Sequence, residues 1–180
     1  MGKVLAIVAI LAGLAAAAFG GYYYFWAQKP NAGLRVEANP GSTVFVDDVQ
    51  VGSTPVDQKY RPGEVTVKVI PNSITSSLTS YQTKVRLSAG TYSVIRRDFA
   101  ATDAATAGET VSLESTADKG ASLAVVASGP DAASVIVDGE PMGFTPLVVA
   151  NISPGDHQIT VSAPGFALRT INAMAVAGYK

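Results

Sequence analysis

The sequence predicts an all-β protein, two small tandem modules set behind one N-terminal membrane helix. Three observations carry this: a twelve-residue stretch that occurs twice, period-2 β-branched runs after each copy, and one long uncharged apolar run at the start. Repetition comes first, because a repeated stretch reports the same fold twice.

The apolar run opens the chain. No charge occurs between Lys3 and Lys29, 25 residues rich in Ala, Leu, Ile and Val. About 20 apolar residues suffice to cross the bilayer core. The run ends in Tyr22-Tyr23-Tyr24-Phe25-Trp26, an aromatic cluster of the kind that settles at a membrane–water interface. Small residues at Ala15 to Ala18 offer a signal peptidase a site, but the apolar run continues past them, so an uncleaved anchor is expected. Lys3 and the free amine favour the N-terminus inside, with everything after residue 28 extracytoplasmic.

The repeated stretch is Val44-Phe45-Val46-Asp47-Asp48-Val49-Gln50-Val51-Gly52-Ser53-Thr54-Pro55, with a second copy 91 positions on at Val135-Ile136-Val137-Asp138-Gly139-Glu140-Pro141-Met142-Gly143-Phe144-Thr145-Pro146. Six of the twelve positions are identical, and each has a backbone reason. Val-x-Val reads as a strand with one buried face. Asp138-Gly139 is a hairpin turn signal, since glycine accepts the positive φ that twist-matching turns require. Asp48 takes the glycine position in the first copy, and aspartate tolerates left-handed φ better than most residues. Gly52 and Gly143 are a second permissive point, and Thr-Pro opens the next strand where a missing N–H does least harm. Pro62-Gly63 and Pro154-Gly155 then turn the chain into the alternating runs from Glu64 to Ile70 and Asp156 to Val161.

At these residues the chain resembles the PEGA domain of bacterial and archaeal surface proteins. The slot before each Val-x-Val strand, where that family carries Pro-Glu-Gly-Ala, reads Asn39-Pro40-Gly41-Ser42 in the first copy and Pro130-Asp131-Ala132-Ala133 in the second. The resemblance extends through Gly-x-Thr-Pro and Pro-Gly, over residues 34–70 and 123–166. It implies a small β-sandwich of immunoglobulin-like shape and no activity.

The rest of the chain divides accordingly: a transmembrane signal anchor at 1–29, a linker at 30–33, a first module at 34–114, a linker at 115–121 and a second module at 122–180. Within the first module Tyr81 to Leu87, Thr91 to Phe99 and Gly108 to Glu114 read as further strands, separated by a Ser/Thr-rich loop from Pro71 to Ser80 and an Ala/Thr loop from Ala100 to Ala107. Thirteen basic and fourteen acidic residues give no field that would steer the chain to nucleic acid. With no cysteine, disulfides, thiolate catalysis, cysteine metal sites and a lipid-acylated cysteine are excluded.

Candidate chemistry is sparse. His157, the single histidine, would need an orienting carboxylate to act as a base, and Asp156 beside it on a strand points to the opposite face. Val65 occupies the same slot in the first copy, which favours a packing role. Asp47, Asp48 and Asp138 lack the spacing of carboxylates that calcium requires. Asn151-Ile152-Ser153 matches a glycosylation tripeptide, and Arg96-Arg97 reads as protective charge at a solvated sheet edge. No catalytic, cofactor or metal residue is therefore expected.

The expected role is structural or adhesive: a single-pass cell-envelope protein held in the membrane by residues 4–28 and displaying its β modules to an envelope protein or cell-wall polymer. A glycan-binding module, using the loops after Pro40, Ser73 and Ala100, and a pilin-like filament subunit are the alternatives. One feature concerns the C-terminal edge. After Leu168 to Val176 the second copy reaches Ala177-Gly178-Tyr179-Lys180, the counterpart of the turn that leads the first copy into its strand from Thr91. The second copy should then expose an unpaired strand edge, filled by more chain in a longer protein or by a strand donated from another chain.

Overall fold

The computed structural model describes residues 2–27, 30–73, 78–102, 105–130 and 132–180, with the side chains of the N-terminal helix described over 10–23. Parts of the two expected loops (74–77 and 103–104), Asp131 of the second Pro-x-x-Ala slot and the side chains of Tyr24, Phe25 and Trp26 lie outside the described residues.

Helix α1 spans Gly2–Ala27. Its described apolar side chains, among them Ile10, Leu11, Leu14 and Phe19, are all exposed. Among the described residues no helix is long and apolar enough to cross a membrane.

Everything after α1 is mostly β. The N-terminal half comprises β1 (Ala32–Asn39), β2 (Ser42–Val46), β3 (Val49–Ser53), β4 (Val56–Tyr60), β5 (Gly63–Pro71), β6 (Tyr81–Leu87), β7 (Tyr92–Asp98) and β8 (Ala107–Val111). The C-terminal half comprises β9 (Ala121–Val125), β10 (Ser134–Val137), β11 (Glu140–Phe144), β12 (Leu147–Ile152), β13 (Gly155–Ser162) and β14 (Arg169–Ala175). β1 begins inside the stretch read as a linker, because Ala32 and Gly33 pair with Tyr60 and Lys59 and are buried.

The first half forms two four-stranded sheets, ordered β4-β1-β7-β8 and β3-β2-β5-β6. The second half repeats the latter as β11-β10-β13-β14, and repeats only β4-β1 of the former, as β12-β9. Registers match too. Val44 pairs with Gly52 and Val69, and Val135 with Gly143 and Val161, each with a bulge one residue later. Gly52 and Gly143, at φ 146° and 133°, supply the backbone freedom the bulge requires.

Period-2 patterning places the core. Val44, Val67 and Val69 on one sheet and Leu34, Val36 and Ile95 on the other are fully buried in a single cluster. Burying each such side chain is worth roughly 1.5–3 kcal/mol. In the second half Val135, Val137 and Ile159 are buried, but Leu123, Val125 and Leu147 only partly. Among the described residues β9 pairs only with β12, whereas β1 also has β7, which places Ser93 and Ile95 against it.

Candidate functional site

The repeated motif was built for its own backbone. Asp47 and Asp138 sit at φ 47° and 51°, followed by Asp48 at 63° and Gly139 at 85°, so both turns adopt the left-handed geometry expected of them. Each first aspartate also caps the neighbouring strand. Asp47 Oδ1 accepts the N–H of Thr66 at 2.8 Å, and Asp138 Oδ1 that of Gln158 at 2.9 Å. The motif threonines close the other end: Thr54 Oγ1 accepts the N–H of Ser42, and Thr145 Oγ1 that of Ala133, both at 2.9 Å. Thr54 and Thr145 return their own N–H groups to the carbonyls of Ser42 and Ala133. Pro55 and Pro146 follow in cis and lead into β4 and β12, while Gly63 and Gly155, after Pro62 and Pro154, open β5 and β13 at positive φ.

The second copy adds one side chain to this frame. His157 is buried at the start of β13, and its Nδ1 lies 2.6 Å from Asp138 Oδ2. Its Nε2 lies 2.7 Å from the main-chain oxygen of Ser153 and 3.5 Å from Ser153 Oγ. Carboxylate and carbonyl oxygens are acceptors only, so both ring nitrogens donate and the imidazolium form is favoured. The His157 pKa is accordingly raised from 6.5, first by the bond to Ser153 and then by Asp138, with burial opposing. Asp138 is lowered from 3.8, first by the Gln158 N–H and then by His157.

Asp138, His157 and Ser153 thus bring together the residue types of a hydrolytic triad without its chemistry. A general base needs a free lone pair aimed at a nucleophile, and here Nε2 is spent on a carbonyl. The arrangement is a cationic tie between two turns. Asp156 is not the orienting carboxylate; Asp138 is, from the turn one strand away. A local reading misses it because the pairing of β10 with β13 is what brings the two together.

Charge is organised on the β4-β1-β7-β8 sheet. Arg96 Nε is 3.0 Å from Glu37 and its Nη1 3.5 Å from Glu109. Arg169 of β14 reaches Glu109 at 2.5 Å and Asp98 at 3.1 Å. The expectation of a solvated sheet edge at Arg96-Arg97 is corrected: β7 lies between β1 and β8, so it is an inner strand. Arg97 stacks its guanidinium 3.9 Å over the Tyr81 ring, and its buried Nε has no hydrogen-bond partner.

Residues 122–175 match the PEGA domain. The match runs from β9 to the end of β14, so this PEGA domain holds the second motif, from Val135 to Pro146, and the His157 tie. No curated protein and no solved structure matches the chain. Within the PEGA domain Asn151 stands exposed at φ 56° near the end of β12, at the irregularity between Ala150 and Ile152. Among the described residues no group of acidic or histidine side chains could hold a metal ion. At the other end of the chain Tyr22 and Tyr23 of the expected aromatic belt are exposed on α1.

Proposed function

We propose that this chain is a membrane-anchored, extracytoplasmic protein whose two PEGA-like modules, at residues 34–114 and 122–180, are small β-sandwiches of immunoglobulin-like shape with a structural or adhesive role. The observation that carries the reading is helix α1. It is apolar on every side, and each of its described apolar side chains is exposed. A helix hydrophobic all round calls for an apolar surround, and a bilayer supplies one. At 26 residues α1 is about 39 Å long, enough to span. Behind it the motif residues serve turns and strand ends, which suits a display scaffold rather than an enzyme.

Fractionation of cells producing the full chain tests the proposal. The chain should stay in membranes through alkaline carbonate washing, keep residues 1–29 by mass, and lose a C-terminal tag to protease added outside. Release into the soluble fraction, or a tag protected in intact cells, would overturn it.

A further inference from the structure

The second copy is one residue longer than the first. Seven positions separate Pro55 from Pro62, whereas eight separate Pro146 from Pro154. The strand pairings identify the extra residue. β4 runs against β1 without a break, with Tyr60 opposite Ala32. β12 runs against β9 with Ala150 opposite Ser122 and Ile152 opposite Ala121, so Asn151 between them has no partner across the ladder. The inserted residue forms a bulge, exposed and at φ 56°. Glycine or aspartate would serve such a bulge as well, since both tolerate positive φ. The fold by itself does not call for asparagine.

Asn151 begins Asn151-Ile152-Ser153, the single Asn-x-Ser/Thr tripeptide in the chain, with isoleucine rather than proline in the middle. Both ends of the tripeptide are presented. Asn151 and Ser153 are exposed, while Ile152 between them packs against the core. Asn151 Oδ1 lies beside Gly120, where a Cβ would come within 3.0 Å, and the amide makes no hydrogen bond to a described residue. Ser153 takes the His157 bond on its main-chain oxygen at 2.7 Å, and its hydroxyl stands off at 3.5 Å. The face beside the bulge gives an independent reason. On β1 and β4 the positions Arg35, Glu37, Asp57 and Lys59 carry charge, and Arg35 pairs with Glu37 at 2.7 Å. The matching registers put Ala124, Val126, Val148 and Ala150 at those positions on β9 and β12, with Val126 77 % and Val148 66 % exposed. An uncharged face of this kind gains from a hydrophilic cover, and a sugar chain is one.

We propose that Asn151 is an acceptor for N-linked glycosylation, modified by a membrane transferase that draws on a lipid-linked oligosaccharide. In the transfer Nδ2 forms a bond to the anomeric carbon of the sugar, and that carbon's bond to the lipid phosphate oxygen breaks. The phosphate leaves with the electron pair, and one amide proton is released. The glycan is then attached near the end of β12, beside the uncharged face of β9 and β12. The inference rests on the extracytoplasmic placement proposed above, because glycosylation of this kind belongs to secreted and surface chains.

The test uses the full chain with a C-terminal tag, produced in cells whose oligosaccharide transferase modifies Asn-x-Ser tripeptides. Cleavage after Lys and Arg gives the peptide 120–169, in which Asn151 is the single asparagine. Its mass should exceed that of the bare sequence by one oligosaccharide. Asn151→Asp keeps the shape and the tolerance of positive φ, and should lose the added mass. Ser153→Ala should lose it too, whereas Ser153→Thr should keep it, with the circular dichroism spectrum unchanged in all three. A merely structural role for the bulge would not separate threonine from alanine in this way. A bare peptide from a chain whose tag is cut by protease added outside would overturn the proposal and leave the topology standing. A bare peptide with the tag protected would overturn both. Sugar retained in Ser153→Ala would also overturn it, because transfer would then not depend on the tripeptide.

Discussion

Glu109 on β8 holds Arg169 on β14 at 2.5 Å, and the carboxylate that does so is only 9 % exposed. Arg96 approaches the same carboxylate from β7, at 3.5 Å. A nearly buried acid between two guanidinium groups ties the last strand of the second half to the last strand of the first.

Arg169→Ala should therefore destabilise the chain as a whole. It removes the ion pairs to Glu109 and Asp98 and leaves Glu109 with Arg96 alone. Arg169 is one-third exposed, so screening reduces the loss to about 1–2 kcal/mol. Urea unfolding followed by circular dichroism measures it, and the loss should shrink in high salt. An unchanged midpoint would show that the tie is dispensable.

Stability should fall as pH rises past neutrality. A raised native pKa means that the folded state binds the His157 proton more tightly than the unfolded chain. The contribution is complete below 6.5 and disappears as pH climbs through the higher folded value. Asp138 acts at the other end: its contribution is present above 3.8 and is lost as pH falls through the lowered folded value. Thermal melts from pH 5 to 9 should decline above neutrality for the native chain and stay flat for His157→Val, the residue type at position 65 of the first copy.

Thr145→Val should cost about 1–3 kcal/mol, because it strands the Ala133 N–H at a buried site while keeping the side-chain shape. Thr54→Val should cost a similar amount through Ser42, which is fully buried. Denaturant midpoints decide it. A cost below about 0.3 kcal/mol at both positions would mean that water replaces the hydroxyl.

Asp48→Gly should stabilise the first turn by a few tenths to about 1 kcal/mol, since glycine adopts positive φ freely and Asp48 holds 63° against a steric preference. The second copy already carries Gly139 there, so Gly139→Asp should cost a comparable amount. Equal melting temperatures for native and Asp48→Gly chains would show that positive φ at residue 48 costs the folded state nothing.

The turns and their flanking strands were legible because their causes are local. Positive φ at residues 47–48 and 138–139, the glycine bulges and the strands after Pro62-Gly63 and Pro154-Gly155 all follow from residues within a few positions. The His157 tie was not, because its carboxylate comes from 19 positions away. A signal for it existed. Asp47 caps Thr66 at nearly the same spacing as Asp138 caps Gln158, so an aspartate opening each turn has to face the start of the returning strand. Arg96 was misplaced for a topological reason. β7 joins β1 in parallel across 59 positions, a pairing that no adjacent turn announces.

Gly178 donates its N–H to Gly120 at 2.9 Å, so the backbone leaves the second half within hydrogen-bond distance of where it enters. The Gly90 bond to Asn31, also 2.9 Å, does the same around β1 to β6. A unit entered and left at one point is a side branch, and its removal or duplication leaves the path of the main chain almost unchanged. Joining Gly120 directly to Gly178 would excise the intervening strands without asking the flanking backbone to bridge a gap. Copying such a unit is therefore geometrically cheap, and an array can lengthen by whole copies without redesign at each junction.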